Sequence, residues 1–346
     1  MKEKEFHIPF PVFGRNCIEE KLITQCMMNV WDEITSTISS FTIHTDDKQI
    51  NVSIDWGMHL NTIKEKIFTD AMSMKEYIKN NHNFLDEENS SDEYLELVCR
   101  ISCRQLDELN SQASDIELKY YLENTFYHVF LMINLSAPGA FNPYSPFLKS
   151  RENLGLELYK LSSFDFENSW INSIEVGWPS ISYIPFPKVW AWYSQLNIGT
   201  RQIASTRLER ALFSLLHCSL SEGGISPTDL IWVSHALESL YDTPNGLINR
   251  ILVDRISMFL ELPLVNSRKL KKKIRDFYEI RSRFVHGELD ISHPTNNDIL
   301  DKSLDSYTNN LLENYYFGFS IVLATIQKMI ANNWNEIRFS ENYTGV

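Results

Sequence analysis

The sequence has few cysteines. Five occur in 346 residues, an odd number, and they are scattered as Cys17, Cys26, Cys99, Cys103 and Cys218. A disulfide-stapled secreted domain carries an even and denser set, so this usage favours free thiols in a reducing compartment. Cys99 and Cys103 are four residues apart, but no second Cys/His pair follows them, so a structural zinc site is not expected.

Long apolar segments are also lacking. The first residues, "MKEKEFHIPFPVFGRNC", contain no apolar core of the length that a signal peptide needs. The longest apolar run, "FYHVFLMINL", is about half a membrane span and contains His128 and Asn134. We therefore expect a cytoplasmic protein with no membrane association.

Positive charge is in deficit over the whole chain. Lys and Arg number 32 against 45 Asp and Glu, which gives a formal net charge of −13. This balance argues against a protein that coats nucleic acid non-specifically, but it leaves room for one local basic patch. The 43% hydrophobic content and the length predict folded structure throughout, divided into two domains.

The periodicity of apolar residues changes after Pro187. Residues 41–55, "FTIHTDDKQINVSID", alternate around a polar turn and predict a β-hairpin. Residues 58–80 and 92–111 predict helices, and 142–187 predict loops with a few strands. From 188 onward the spacing is helical almost throughout. The predicted fold is mainly α, with a mixed α+β domain over 1–187 and a helical bundle over 188–346.

One short stretch concentrates unusual chemistry. "FYEIRSRFVHGELD", residues 277–290, follows "RKLKKKIRD", which has six Lys/Arg in nine residues. A helix that ends in cations and then Gly287 has an ordinary C-terminal signature. The same residues also suit metal-free RNA cleavage, because a histidine can move a proton while an arginine stabilises a charged phosphorane. Arg281 and His286 would lie about 140° apart around a regular helix, so a second copy or a distorted last turn must bring them together.

This stretch resembles the R-x4–6-H segment of the HEPN superfamily, most closely its Apea-like branch. "YEIRSRFVHG" lies where that branch has its Arg–His motif, and "ALESLYDTPNGLINRILVDRISMFLEL" resembles the two helices that precede it. The resemblance covers roughly residues 200–335 and does not extend to 1–185. It implies a HEPN-type helical domain, dimers with a composite RNA-cleaving cleft, and a role in antiphage defence or toxin–antitoxin systems, where a partner protein or antitoxin restrains the activity.

Carried over by position, the resemblance implies that Arg281 and His286 are the catalytic pair. Supporting positions are Ser282, Glu238, Arg255 and Tyr278. Ser282 departs from the Asn or Asp of many relatives, and Glu238 and Arg255 could instead form interhelical ion pairs.

The basic run gives this site a predicted approach path for RNA. The predicted RNA-binding residues are Lys271, Lys272, Lys273, Arg275 and Arg283. A solvated helix face is the alternative for any single lysine, and a dimer contact is the alternative for Arg283.

Rival interpretations remain open. The helical domain could bind RNA, a nucleotide or a protein without cutting, or it could be a regulatory subunit that only dimerises. "HGELDISH" contains four potential metal ligands in a loop without a partner cluster, so neither a metal nor a cofactor is expected.

Overall fold

The structure is a computed structural model that describes residues 2–11, 21–44, 49–56, 60–64, 94–103, 111–142, 161–220, 226–243 and 248–340. The chain forms two compact units made of interleaved segments. The first unit comprises 1–163 with 183–202, and the second comprises 164–182 with 203–346. The predicted boundary at residue 187 falls inside a helix, Phe186–Gln195, and the two units exchange short segments around it.

The strands are β1 Lys2–Pro11, β2 Ser40–His44, β3 Gln49–Asp55 and β4 Tyr94–Cys103. The helices are α1 Lys21–Thr37, α2 Ser111–Ser136, α3 Phe164–Val176, α4 Phe186–Gln195, α5 Arg207–Cys218, α6 Asp229–Tyr241, α7 Ile248–Phe259, α8 Ser267–Val285 and α9 Ser303–Asn332. Residues 60–64 are also helical, and the rest of the helix predicted over 58–80 lies outside the described residues. The prediction of a mainly α chain is confirmed.

The first unit contains a four-stranded antiparallel sheet in the order β1-β4-β3-β2. The predicted pairing within 41–55 is confirmed, since Phe41 lies opposite Val52, while residues 45–48 are outside the described part of the chain. The helix predicted over 92–111 is wrong, because β4 occupies its first half. Cys99 and Ile101 are buried and Arg100 is exposed between them, the period of two that a sheet with one buried face requires.

Aromatic side chains fill the interior of the first unit. Trp31 donates a hydrogen bond from its indole nitrogen to the carbonyl of Ala140 at 3.1 Å. Its ring packs 5.8 Å from that of Trp56 and 5.7 Å from that of Phe141. All three rings are almost fully buried, so α1, the end of β3 and the segment after α2 share one core.

The second unit is a helical bundle organised around α9, which packs against α3, α6 and α8. The loops and strands predicted for 142–187 are wrong over 164–176, which form α3 with Phe166 and Trp170 buried one turn apart. Gly318 permits the approach of α8 to α9, since a Cβ at this position would lie 2.5 Å from the Phe277 ring. Within the described residues, no helix is long and apolar enough to span a membrane.

Candidate active site

Helix α8 carries the sequence motif and has one buried and one exposed side. Its buried residues include Leu270, Ile274, Phe277 and Tyr278, which face the helices α6, α7 and α9. Five of its exposed residues lie within about 60° of one another around the axis, namely Arg268, Lys272, Arg275, Glu279 and His286. We call Arg268, Lys272 and Arg275 the basic stripe. His286 therefore shares the solvent side of α8 with the basic stripe.

Arg281 projects from the other side of α8, toward α6. Its Nη2 atom lies 3.5 Å from Oε1 of Glu238, and the two side chains are 27% and 25% exposed. Among the residues that the structure describes, neither Glu238 Oε1 nor Arg281 Nε has a hydrogen-bond partner, although both atoms are buried. The contact is therefore an interhelical ion pair without full hydrogen bonding.

Tyr278 lies beside this ion pair. Its side chain is 2% exposed, and its buried hydroxyl oxygen has no hydrogen-bond partner in the described part of the chain. Burial raises the pKa of Tyr278 well above its usual range, the charge of Glu238 raises this pKa further, and Arg281 opposes both effects. Tyr278, Glu238 and Arg281 thus form one half-buried polar cluster in which three polar atoms lack hydrogen bonds.

His286 occupies the C-cap position of α8. Its backbone N–H donates to the carbonyl of Ser282 at 3.0 Å, and Gly287 follows with φ +74°, so the predicted left-handed glycine cap is confirmed. The His286 side chain is exposed and makes no hydrogen bond or ion pair within the described part of the chain. Its imidazole is therefore available to exchange a proton with a bound molecule.

Arg255 has a role in helix capping. Its Nη1 donates to the carbonyl of Tyr241 at 2.6 Å and to that of Asp242, at the C-terminal end of α6. Its guanidinium also lies 4.6 Å from the centre of the Phe339 ring. The cation meets the negative end of a helix macrodipole, which accounts for Arg255 structurally.

The three consecutive lysines of α8 each lie near a carboxylate. Lys271 Nζ is 3.2 Å from Asp254, Lys272 Nζ is 3.9 Å from Asp276, and Lys273 Nζ is 4.0 Å from Glu313. Lys272 is the most exposed, at 75% for its side chain, against 39% for Lys271 and 27% for Lys273. Asp254 and Glu313 could not be recognised as partners from the sequence alone, since each lies on another helix.

The two remaining predicted RNA-binding arginines differ in their surroundings. Arg275 is exposed, and its Nε donates to the backbone carbonyl of Lys271 at 3.2 Å within α8. Arg283 donates from Nη2 to the carbonyl of Glu288 at 3.3 Å, and its own carbonyl accepts from the N–H of Glu288 at 2.7 Å. Arg283 therefore fixes the turn after α8, while Arg275 remains on the basic stripe.

These positions show which chemical groups a single copy of the chain exposes around α8. Arg281 is about 140° from His286 around α8, and its charge is directed to Glu238. His286 offers proton transfer, and the basic stripe offers attraction for phosphates. One α8 thus presents the histidine to solvent and keeps the arginine on another side.

The described residues contain no group of three or more His, Cys, Asp or Glu side chains placed to hold a metal ion. The chain matches no known protein-family model, no curated protein sequence and no solved structure.

Proposed function

We propose that this chain is a metal-independent endoribonuclease of the HEPN type, with Arg281 and His286 as its catalytic pair. The observation that carries the proposal is the exposed imidazole of His286, which has no partner among the described residues and lies on the same side of α8 as the basic stripe. RNA whose phosphates bind the basic stripe would lie close to His286. The sequence resemblance adds the reaction class and a role in antiphage defence or as a toxin.

In this reaction the RNA supplies its own nucleophile. The 2′-hydroxyl oxygen attacks the adjacent phosphorus, the bond from phosphorus to the 5′-oxygen breaks, and a 2′,3′-cyclic phosphate forms. His286 moves the proton released by the 2′-hydroxyl or the one taken up by the 5′-oxygen. Arg281 stabilises the charge on the phosphorane. The products are a cyclic phosphate and a 5′-hydroxyl.

The proposal requires a second copy of the chain. Arg281 and His286 point to different sides of one α8, so a two-fold homodimer would combine the arginine and histidine of both copies in one cleft. A protein that sediments as a monomer at micromolar concentration while it cuts RNA would exclude this arrangement.

The direct test is incubation of the purified protein with total RNA in EDTA, beside the His286→Ala variant. We expect wild-type cleavage that EDTA does not inhibit, fragments with 2′,3′-cyclic phosphate and 5′-hydroxyl ends, and no cleavage by the variant. Fragments with 5′-phosphate ends, or activity lost in EDTA, would refute the proposed chemistry.

A second candidate function is a binding module or dimerisation subunit without catalysis. The observation that favours it is that two of the proposed functional cations already form ion pairs within the chain. Arg281 pairs with Glu238, and Lys271 pairs with Asp254. Expression of the chain in growing cells separates the two functions, because an unrestrained ribonuclease slows growth whereas a binding module does not. Growth of cells that express the wild-type chain at the same rate as cells that express the His286→Ala variant would favour the module.

A further inference from the structure

The ion pair between Arg281 and Glu238 holds the proposed catalytic arginine against its own chain. About a quarter of each side chain reaches solvent. Nη1 and Nη2 of Arg281 make no hydrogen bond to a described residue, and neither is among the buried atoms, so an anion in solution can reach them. The proposed cleavage reaction needs this guanidinium on a phosphate. Glu238 and the substrate therefore offer Arg281 two alternative anions.

The contact between the two residues is weaker than an arginine can make. A guanidinium can form two parallel hydrogen bonds to one carboxylate or phosphate. Here Nη2 and Oε1 are 3.5 Å apart, beyond the roughly 2.7–3.2 Å of an N–H···O hydrogen bond. A residue that serves to position a functional side chain is expected to hold it by satisfied hydrogen bonds. The geometry therefore favours a partner that Arg281 can leave.

Tyr278 can replace Arg281 as the partner of Glu238. Its buried hydroxyl makes no hydrogen bond within the described part of the chain, and neither does Glu238 Oε1. Burial raises the pKa of this hydroxyl, and the charges of Glu238 and Arg281 then shift the same pKa in opposite directions, which shows that the three groups are neighbours. A phenol can donate to a carboxylate oxygen. A hydrogen bond from Tyr278 would thus offset the loss of Arg281 from Glu238.

We propose that Glu238 is an autoinhibitory residue, which holds Arg281 in the absence of RNA and releases it to an RNA phosphate. This inference rests on the proposed ribonuclease function, whose site it regulates. On release, Arg281 gains a bidentate contact to the phosphate, and Glu238 gains a donor from Tyr278. The exchange moves side chains of α6 and α8 and breaks no covalent bond.

The contact has opposite consequences for stability and for RNA affinity. An arginine that is held by Glu238 lowers the apparent affinity for RNA in proportion to the fraction of the chain in which it is released. Removal of the Glu238 charge therefore strengthens RNA binding while it weakens the fold. If Glu238 instead positioned Arg281 for the phosphate, the same substitution would weaken both.

The test measures binding of a short fluorescent single-stranded RNA in EDTA, in the His286→Ala background so that the RNA stays intact. We expect Glu238→Gln to tighten binding by roughly threefold to tenfold, because the arginine no longer has to leave a charged partner. Weaker binding, or binding of unchanged strength, would overturn the proposal.

Arg281→Met is the control background for this gain. When Arg281 is absent, Glu238→Gln should leave RNA affinity unchanged, since the effect acts through the arginine. A gain that persists without Arg281 would be a general effect of net charge and would overturn the proposal.

Tyr278→Phe gives a second test in a protein that loses no hydrogen bond of the resting state. We expect this substitution not to lower the urea midpoint but to weaken RNA binding, because Glu238 has no donor to replace Arg281. In the Glu238→Gln background it should have little effect on RNA binding. Unchanged RNA binding in Tyr278→Phe would remove Tyr278 from the exchange and contradict the proposal.

The outcomes separate this inference from the proposed function. Cleavage of RNA by the wild-type chain without a gain in affinity in Glu238→Gln would reject the autoinhibitory contact alone. A gain that depends on Arg281, in a chain that cuts no RNA, would retain the contact in an RNA-binding module and reject the ribonuclease. A chain that binds no RNA in either form would overturn both.

Discussion

Arg281 Nη2 and Glu238 Oε1 are 3.5 Å apart across α8 and α6. Helix geometry places the arginine about 140° around α8 from His286, and this contact directs its charge toward α6. Because both side chains are about three-quarters buried, loss of either charge leaves the other in the protein interior without its partner. The ion pair thus fixes the resting orientation of Arg281.

Replacement of Glu238 by Gln should lower the free energy of unfolding by about 1–3 kcal/mol, because it leaves the mostly buried Arg281 without its opposite charge; this lies between the value for exposed ion pairs and that for a fully buried pair that loses one partner. Urea unfolding measures this change, and Glu279→Gln on the exposed side of α8 is the matched control. In a double-mutant cycle with Arg281→Met, the second substitution should cost less in the Glu238→Gln background. Additive effects would show that the two residues do not interact.

Stability should depend on pH through Asp165. Its carboxylate accepts a hydrogen bond from Tyr315 at 2.7 Å. Burial raises the pKa of Asp165 from 3.8 to about 7, the Tyr315 hydrogen bond lowers it, and the charge of Asp229 raises it. The residue is partly exposed as a whole, but its carboxyl group lies among Tyr315, Cys218 and Asp229.

Because the folded state holds this proton more tightly than the unfolded state, the contribution of Asp165 to stability is fully present below pH 4 and is lost as pH rises to about 7. We expect the Asp165→Asn variant to gain stability relative to wild type at pH 8 and to gain little at pH 4. Urea midpoints across this range measure the effect, with Asp290→Asn as an exposed control. If the Asp165→Asn variant gained the same stability at pH 4 as at pH 8, the argument from burial of Asp165 would be contradicted.

Gly318 should tolerate no side chain. A Cβ there would lie 2.5 Å from the Phe277 ring, which is only 1% exposed and has little room to move. Gly318→Ala should therefore cost about 1–3 kcal/mol in unfolding free energy through overpacking, despite the higher helix propensity of alanine. Ala324→Gly, also buried in α9, shows the combined cost of lower helix propensity and one lost buried methyl group. An unchanged or stabilised Gly318→Ala protein would show that α8 and α9 are farther apart.

The lysines should contribute unequally to RNA binding. Lys272→Gln and Arg275→Gln remove charges from the basic stripe, so each should flatten the plot of log affinity against log salt by about 0.7, the value for one phosphate contact to a single strand. Lys271→Gln should have a smaller effect, because Asp254 lies 3.2 Å away. Titrations of a fluorescent RNA at several salt concentrations give these slopes. If Lys272→Gln and Arg275→Gln had the same slope as the wild-type protein, the basic stripe would be excluded as the RNA-binding surface.

The sequence was sufficient for features set by local chemistry. The end of α8 at His286 and Gly287 followed from the cations and the glycine, and the antiparallel pair within 41–55 followed from alternation about a polar turn. The secondary structure predicted from the sequence was wrong at β4 and at α3. Residues 94–103 form a strand because they lie between β1 and β3, and such pairing is not visible in a local pattern.

In the candidate site, too, some features follow from the local sequence and others depend on tertiary packing. The angle between Arg281 and His286 follows from helix geometry, and the structure adds that Glu238 is the partner of Arg281. Arg255 matched a supporting position of the family, but its hydrogen bonds to Tyr241 and Asp242 depend on the packing of α7 against the end of α6. Contacts between distant helices are set by the tertiary fold, which a single sequence does not display.

The most direct test of the catalytic role is the single-turnover cleavage rate of a defined RNA in EDTA, measured for wild type, His286→Ala and Arg281→Ala. Loss of a placed proton-transfer group costs roughly 10²–10⁴ in rate, and loss of a charge-stabilising donor about 10²–10³. As a helix cap alone, His286 would contribute only about 0.3–1 kcal/mol to stability. We predict a stable His286→Ala protein that has lost at least a hundredfold in rate, and a variant that cuts at the wild-type rate would contradict the proposal.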